Sequence, residues 1–134
     1  MDFPKISKED VKKILDHKPN VQPERTTLLF ANVKENADFF AVKEVHEFLL
    51  QLDMSGFNLI FDYLKWVEET GNHQSNEFLT DPDFVQTADL ETLRKLMTTH
   101  IRTERFVEGH LKELFDNGYI ANLMNRLEVL YGKM

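Results

Sequence analysis

The feature that most constrains the fold is a helical repeat of apolar residues from about Asp89 to Asn117. Each helical residue advances about 100° around the axis. On that spacing one broad apolar face contains Leu90, Leu93, Leu96, Met97, Ile101, Val107, Leu111, Leu114 and Phe115. The repeat therefore predicts a single helix of about residues 89–117, the longest of the chain and central to its fold.

Polar residues interrupt this predicted helix on both sides. His100 and Glu104, four residues apart, lie within its apolar face. The opposite side carries Thr98, Arg102, Arg105 and Gly109, with Phe106 beside them. A helix that only covered a core would need neither a polar pair in its apolar stripe nor an aromatic residue on its polar side. We therefore expect neighbours or a ligand on more than one side of it.

Shorter amphipathic stretches predict further helices. Ser7 is spaced to cap a first helix that ends at Pro19–Asn20, and this helix over residues 1–20 is expected to be loosely attached. Asp38 to Leu52, Leu59 to Glu69 and Ile120 to Gly132 follow. The helix predicted from Leu59 to Glu69 is expected to bury an apolar stripe formed by Ile60, Tyr63, Leu64 and Val67.

Two other stretches leave more room for interpretation. Thr26 to Phe30 is too brief for its periodicity to separate a helix from a strand. We favour a helix because nothing else in the chain offers a strand partner. Asn20 to Arg25 and Asn72 to Pro82 read as loops, the latter polar enough to carry function. The prediction is an all-α fold of five or six helices in one compact domain, residues 1–134.

Composition limits the classes of protein that need to be considered. The 134 residues contain no cysteine, which removes disulfides and thiolate chemistry and fits a reducing compartment. The first ten residues lack the apolar core of a secretory signal, and no later run reaches the length of a membrane span. We therefore expect a cytoplasmic protein that does not contact a membrane.

The net charge of −7 is concentrated in the middle of the chain. Residues 31–97 carry 13 acidic side chains and five basic ones, whereas residues 1–30 and 98–134 are nearly balanced. Proteins that bind nucleic acid normally show a basic surface. The one basic cluster, Lys5, Lys8, Lys12, Lys13 and Lys18, is explained more simply as the solvated side of the first helix. The charge pattern therefore argues against a nucleic-acid partner.

The C-terminal half resembles a family of small bacterial proteins and domains of unknown function. The resemblance rests on Asp89–Leu96, on Gly118–Ile120 with Arg126–Leu127, and on the family's IR-x-x-RF-x-E-G signature, which spans Ile101 to Gly109. Further upstream, Phe61–Asp62 and Trp66 are similar to an aspartate–tryptophan segment, although Tyr63 stands where the family has another tryptophan. The resemblance implies a helical fold and a shared surface of arginine, phenylalanine and glycine. It implies no reaction, cofactor or partner.

The first candidate site is formed by Arg102, Arg105, Phe106 and Gly109. Two guanidinium groups three residues apart can converge on one carboxylate or phosphate. We therefore predict a non-enzymatic module that binds an acidic protein segment or a small anionic ligand. The alternative is that the arginines pair with acids of their own chain. We expect at least one of the two arginines to be mostly buried and paired with an acidic side chain from Asp53–Asp83. Of the two, we expect Arg105 rather than Arg102 to be paired.

The second candidate site is formed by His100, Glu104 and Asp62. These residues could make the acid–base pair of a small hydrolase or nuclease-like enzyme. His100 and Glu104 could also share a metal ion with Glu108, and the further ligands would have to come from residues such as His73, His110 or Asp62. The simpler explanation is a buried histidine that is fully hydrogen-bonded. No Gly-rich phosphate loop or other catalytic motif is present, so we predict no cofactor and no resident metal.

Overall fold

The computed structural model describes residues 5–71 and 77–134, and every regular element in these ranges is helical. The α-helices are α1 (Lys8–Leu15), α2 (Pro23–Leu29), α3 (Asn36–Ala41), α4 (Lys43–Met54), α5 (Tyr63–Thr70), α6 (Pro82–Gln86), α7 (Leu90–Thr103), α8 (His110–Asp116) and α9 (Tyr119–Tyr131). Two 3₁₀ turns, Lys18–Val21 and Glu77–Thr80, connect some of them. The predicted all-α class is thus confirmed, but the described part of the chain has nine α-helices rather than five or six.

The largest correction concerns the predicted helix at 89–117. α7 ends at Thr103 and α8 begins at His110, so the stretch forms two helices joined by a turn over residues 104–109. Gly109 ends this turn with a φ of 89°, a left-handed conformation that glycine adopts without steric cost. The apolar repeat continues through Val107, yet that side chain is exposed. Local periodicity therefore gave no sign of the break.

Two other predicted helices are divided or shortened. The stretch from Asp38 to Leu52 contains the end of α3 and most of α4, because Val42 between them has an extended backbone with ψ at 123°. The helix predicted from Leu59 begins only at Tyr63, with Asp62 as its cap. Ile60 lies outside it and is 87% exposed, so its predicted burial is wrong. Leu64, which was expected on the same stripe, is also exposed.

Several helix signals are confirmed. The side chain of Ser7 accepts a hydrogen bond from the backbone amide of Asp10 at the start of α1. Residues 26–29 are helical as favoured, although α2 already starts at Pro23, inside the predicted loop. The last helix forms as expected, with its apolar residues turned into the core: Ile120, Leu123, Met124 and Leu127. His73, with the rest of residues 72–76, lies outside the described residues.

Phenylalanine rings form the centre of the core. Phe39, Phe48 and Phe115 are almost fully buried and join α3, α4 and α8. The ring centroids of Phe39 and Phe115 are 5.3 Å apart, edge to face, and Phe30 packs on both. Such ring pairs add to the stabilisation that burial of their area gives. This cluster fixes α8 against the N-terminal half of the chain.

The two ends of the chain pack together around α9. Val11 and Ile14 of α1 are completely buried, and α1 contacts both α9 and α4. α9 also packs on α6, α7 and α8. Across the described ranges, no helix combines the length and apolar character that crossing a membrane requires. α7, α8 and the turn between them therefore sit on a base of surrounding helices, and this base positions the candidate sites.

Candidate functional site

Three side chains of α7 hold an irregular segment that precedes α5. The buried Arg94 donates from Nε to the carbonyl oxygen of Phe57 (3.1 Å) and from Nη2 to that of Gly56 (2.8 Å). One helical turn later, Thr98 Oγ1 accepts from the backbone amide of Leu59 (3.0 Å). Another turn later, Arg102 Nη2 donates to the Leu59 carbonyl oxygen (3.0 Å). Residues 56–59 are therefore bound to α7 by its side chains.

This arrangement corrects the prediction for the two arginines. Among the described residues, which include every acid of Asp53–Asp83, no carboxylate is paired with Arg102 or Arg105. Arg102 is half-buried and uses a backbone carbonyl instead, with its guanidinium carbon 5.7 Å from the Phe61 ring centre. Arg105 is exposed. The burial order of the two arginines is thus the reverse of the predicted one, because the helix ends between them.

Glu104 fixes the turn that follows α7. Its carboxylate accepts hydrogen bonds from the backbone amides of Gly109 (3.0 Å) and Leu111 (2.9 Å) at the start of α8. It also accepts one from Asn36 Nδ2 (3.0 Å), which ties the turn to α3. The first amides of a helix have no partner within the helix, and a carboxylate there satisfies them. Glu104 therefore acts as a remote cap of α8.

A small depression brings together two of the predicted binding residues. It has a volume of about 220 Å³, and we call it the Arg102 pocket; its walls are Tyr63, Thr99, Arg102, Thr103 and Phe106. Phe106 is 88% exposed at its rim. Arg105 belongs to the same turn, but neither it nor Gly109 lines this pocket. Gly109 instead supplies the positive φ that starts α8.

A second depression adjoins the first. It measures about 350 Å³, and we call it the His110 pocket; its walls are Tyr63, Glu77, Leu79, Thr80, Thr99, His100, Thr103 and His110. Tyr63, Thr99 and Thr103 line both pockets, so the two lie side by side along the C-terminal half of α7, and we call them together the groove. Thr99 is only 4% exposed, and its hydroxyl has no hydrogen-bond partner. Such an orphaned buried hydroxyl is uncommon in proteins and invites an explanation.

A chain of hydrogen bonds runs along the wall of the His110 pocket. The Leu79 carbonyl oxygen is contacted by Tyr119 Oη (2.6 Å) and by His100 Nε2 (2.7 Å). His100 Nδ1 lies 2.9 Å from His110 Nε2. His100 is almost fully buried, and burial lowers the pKa of its imidazole to about 4. The His100 imidazole is therefore neutral at physiological pH.

His110 is the more accessible of the two histidines. Burial is the main reason why the pKa of the His110 imidazole is lowered, and the carboxylates of Glu104 and Glu113 oppose that shift. Burial likewise raises the pKa of the Tyr119 hydroxyl. Both imidazoles and the phenol are thus uncharged near neutral pH. These three side chains of the wall offer hydrogen-bonding groups rather than charges, and Glu77 adds a carboxyl group.

The predicted acid–base set is not joined by hydrogen bonds. His100 bonds to His110 and Leu79, and Glu104 bonds to the start of α8. Asp62 Oδ1 accepts from the backbone amide of Lys65 and caps α5. Asp62 also lines a different depression, about 360 Å³ in volume, beside Trp66 and Lys95. The described residues contain no cluster of three or more histidine, aspartate or glutamate side chains that could hold a metal ion.

Sequence reasoning missed part of this groove. Thr99 and Thr103 escaped attention although they flank Arg102 at i−3 and i+1, on the side of α7 that the apolar repeat had assigned to neither face. His110 was considered only as a distant metal ligand, and its link to His100 depends on the turn at Gly109. Arg94, Thr98 and Arg102 do follow a readable signal. Their i, i+4, i+8 spacing places three polar side chains on one line of a helix.

Comparisons with known proteins give a family and no function. A search of the curated proteins found no match, and neither did a search of the solved structures. One family model, described as a family of unknown function (DUF6508), matches residues 7–133. That match includes every α-helix and both pockets of the groove. The chain therefore belongs to the DUF6508 family of unknown function.

Proposed function

We propose that the protein is a binding module that recognises an anionic group, a carboxylate or phosphate carried on an apolar body, in the Arg102 pocket. One observation carries the proposal. A half-buried arginine without a carboxylate partner lines a pocket together with an exposed aromatic ring. Arginine presents five N–H donors, and Arg102 uses one of them on Leu59 within the described part of the chain. Donors remain for a ligand.

The position of Arg102 favours binding. Its bond to Leu59 and its place near the Phe61 ring hold the guanidinium in one orientation before a ligand arrives. Preorganisation reduces the entropy lost on binding. Arg105, in the adjoining turn, has no hydrogen-bond or ion-pair partner for its side chain among the described residues and adds a second positive charge nearby. An anion approaching this end of α7 therefore meets two unpaired cations on a protein of net charge −7.

The remaining walls of the pocket suit the apolar part of such a ligand. Phe106 and Tyr63 present ring surface, and Phe106 has almost no contact that would explain its place by packing. Exposed aromatic side chains near an arginine are typical of binding hot spots. The volume of about 220 Å³ fits one side chain of a protein segment or the end of a small molecule. Both sources share the same chemistry, an anionic group beside an apolar one.

An NMR titration tests the proposal with phenyl phosphate as the probe and benzyl alcohol as its neutral counterpart. We expect phenyl phosphate to shift the Arg102 Nε–H signal and the amides of residues 99–106 in a saturable way. Arg102→Ala and Phe106→Ala should each weaken the affinity about tenfold, since one charge-assisted contact or one ring contact is lost. A terminally blocked Phe-Glu dipeptide forms a second arm, and tighter binding of the dipeptide would favour a protein segment as the natural source.

Matched controls separate binding from stability. Arg126→Ala also removes an arginine bound to a backbone carbonyl, that of Ala88, but lies outside the groove. Arg25→Ala removes an exposed arginine elsewhere. Both should bind phenyl phosphate like the wild type. Phe106→Ala should keep the wild-type melting temperature because the ring is exposed. Equal shifts with benzyl alcohol, or undiminished binding by both groove variants, would overturn the proposal.

A further inference from the structure

The hydrogen-bond chain in the His110 pocket has a direction that elementary chemistry fixes. The Leu79 carbonyl oxygen can only accept, so the short contact at 2.7 Å requires a proton on His100 Nε2. A neutral His100 then has its lone pair on Nδ1. His110 Nε2, 2.9 Å away, must donate to that lone pair. Neutral His110 therefore carries its own lone pair on Nδ1.

That lone pair has no partner in the described part of the chain. Tyr119 cannot supply one, because its hydroxyl already donates to Leu79. Thr103 Oγ1 donates to the backbone carbonyl oxygen of Thr99 (2.8 Å) and is likewise occupied. His110 is half-buried and lines the pocket, so its Nδ1 is an acceptor kept available at the end of a rigid relay. The orphaned hydroxyl of Thr99 lies under the same groove.

We infer that the groove selects a ligand whose anionic group lies at Arg102 and whose hydroxyl group donates a hydrogen bond to His110 Nδ1. This inference rests on the proposed function and specifies its ligand class, a carboxylate or phosphate monoester that also carries a hydroxyl. A hydroxyl both donates and accepts. Its O–H can therefore donate to His110 Nδ1, which an ionised carboxylate oxygen cannot do. The two pockets share Tyr63, Thr99 and Thr103, so a ligand that extends over these residues would contact both.

The test compares phenyl phosphate with its 3-hydroxy and 4-hydroxy derivatives, which place the same hydroxyl at two distances from the phosphate. We expect one of the hydroxylated probes to bind the wild type about fivefold more tightly than phenyl phosphate, the effect of one net hydrogen bond. In His110→Phe the three probes should bind alike, while phenyl phosphate itself keeps its wild-type affinity.

A measurement on the wild type guards against a variant that fails to fold. The imidazole ¹⁵N spectrum should show His110 and His100 each with the proton on Nε2 and a lone pair on Nδ1. The better hydroxylated probe should then shift the His110 Nδ1 signal upfield, as a new hydrogen bond does, whereas phenyl phosphate should not. A proton on His110 Nδ1 in the free protein, no gain from either hydroxyl, or an undiminished gain in folded His110→Phe would overturn the inference. In each of those cases phenyl phosphate would still bind at Arg102. No binding of phenyl phosphate at all would instead remove the proposed function on which the inference rests.

Discussion

The two turns on either side of α8 use the same backbone device and end in different surroundings. Each closes on a left-handed glycine, Gly109 with φ at 89° and Gly118 with φ at 85°. Each glycine is followed by a residue that reaches the Leu79 carbonyl group. Tyr119 reaches it directly, and His110 reaches it through His100. The turns thus join three helices to a single acceptor.

Their environments differ at every other point. The Gly118 turn is packed on one side, because Tyr119 is buried and a Cβ on Gly118 would lie 3.3 Å from Pro23 Cγ, while Asn117 and Gly118 also border a depression of about 360 Å³. The Gly109 turn is open, with Phe106 exposed at its tip and nothing within 4 Å of a Cβ on Gly109. Packing explains the positions of Gly118 and Tyr119 in the first turn. It leaves the exposed ring and the available imidazole nitrogen of the second turn unexplained, and a ligand would account for both.

Lowering the pH should have the largest effect on stability, because it acts on the histidines next to the Gly109 turn. Burial holds the pKa of His100 at about 4, below its ordinary value of 6.5. Between these pH values the unfolded chain binds more protons, so the free energy of unfolding falls as the pH falls through this window. We expect a loss of about 2 kcal/mol from His100 between pH 7 and pH 5, to which His110 adds in the same direction. Urea denaturation at each pH measures it.

Two variants sharpen this measurement. His100→Phe should make the dependence on pH shallower, whatever its effect on stability at neutral pH. His46→Gln, which removes an exposed histidine far along the chain from His100, is measured beside it as the control. Tyr119 contributes no such loss of stability, because the raised pKa of its hydroxyl keeps that group protonated throughout this pH range. An unchanged slope in His100→Phe would show that His100 is not held neutral.

Removing the side chains that cap the two turns should have the next largest effect on stability, and the two losses should differ. Glu104 bonds two amides of α8 and Asn36 of α3, whereas Asn117 Oδ1 accepts only from the Tyr119 amide (2.9 Å). We expect Glu104→Ala to lower the free energy of unfolding by about 2 kcal/mol and Asn117→Ala by about 1 kcal/mol. Chemical denaturation measures both. Glu108→Ala, at an exposed position of the same turn, is the control, and equal losses at Glu104 and Glu108 would contradict the assigned cap.

Replacing the glycines of the two turns by alanine should give the smallest difference in stability. Alanine is strained at a positive φ, so Gly109→Ala should cost about 1 kcal/mol. Gly118→Ala should cost more, because its Cβ also crowds Pro23. Gly132→Ala, where the φ is −64°, serves as the control with little change. Thermal melts rank the three, and an equal cost at Gly109 and Gly118 would mean that Pro23 moves aside freely.

Elements governed by local signals could be predicted from the sequence. The cap at Ser7, the helix at 26–29 and the final amphipathic helix depend on residues within a few positions of each other. The break at Gly109 does not. It depends on Glu104 reaching forward to α8 and on Asn36, which lies 68 residues away in the chain. The apolar period runs unbroken through Val107, so one-dimensional spacing favoured a single helix.

The same distinction applies to the candidate site. Arg102 and Phe106 were predicted together, and they do share a pocket, since four residues separate them across the end of α7. The predicted ion pair is wrong because backbone carbonyl groups compete with carboxylates for arginine, and sequence does not reveal a carbonyl's position. Tyr63 and His110 enter the groove from α5 and α8. Their approach depends on two turns whose geometry only the tertiary structure supplies.

The contacts that Arg94, Thr98 and Arg102 of α7 make with residues 56–59 have a consequence for folding during synthesis. The carbonyl groups of Gly56, Phe57 and Leu59 and the Leu59 amide find their partners 37 to 43 residues later, on Arg94, Thr98 and Arg102. During synthesis this segment leaves the ribosome before those partners do. Its path thus depends both on these later side chains and on its own buried Phe57 and Leu59, whereas the next residue, Ile60, is exposed. Substitutions should accordingly be tolerated at Ile60 and penalised at Phe57, Leu59 and the three positions of α7 that hold the segment.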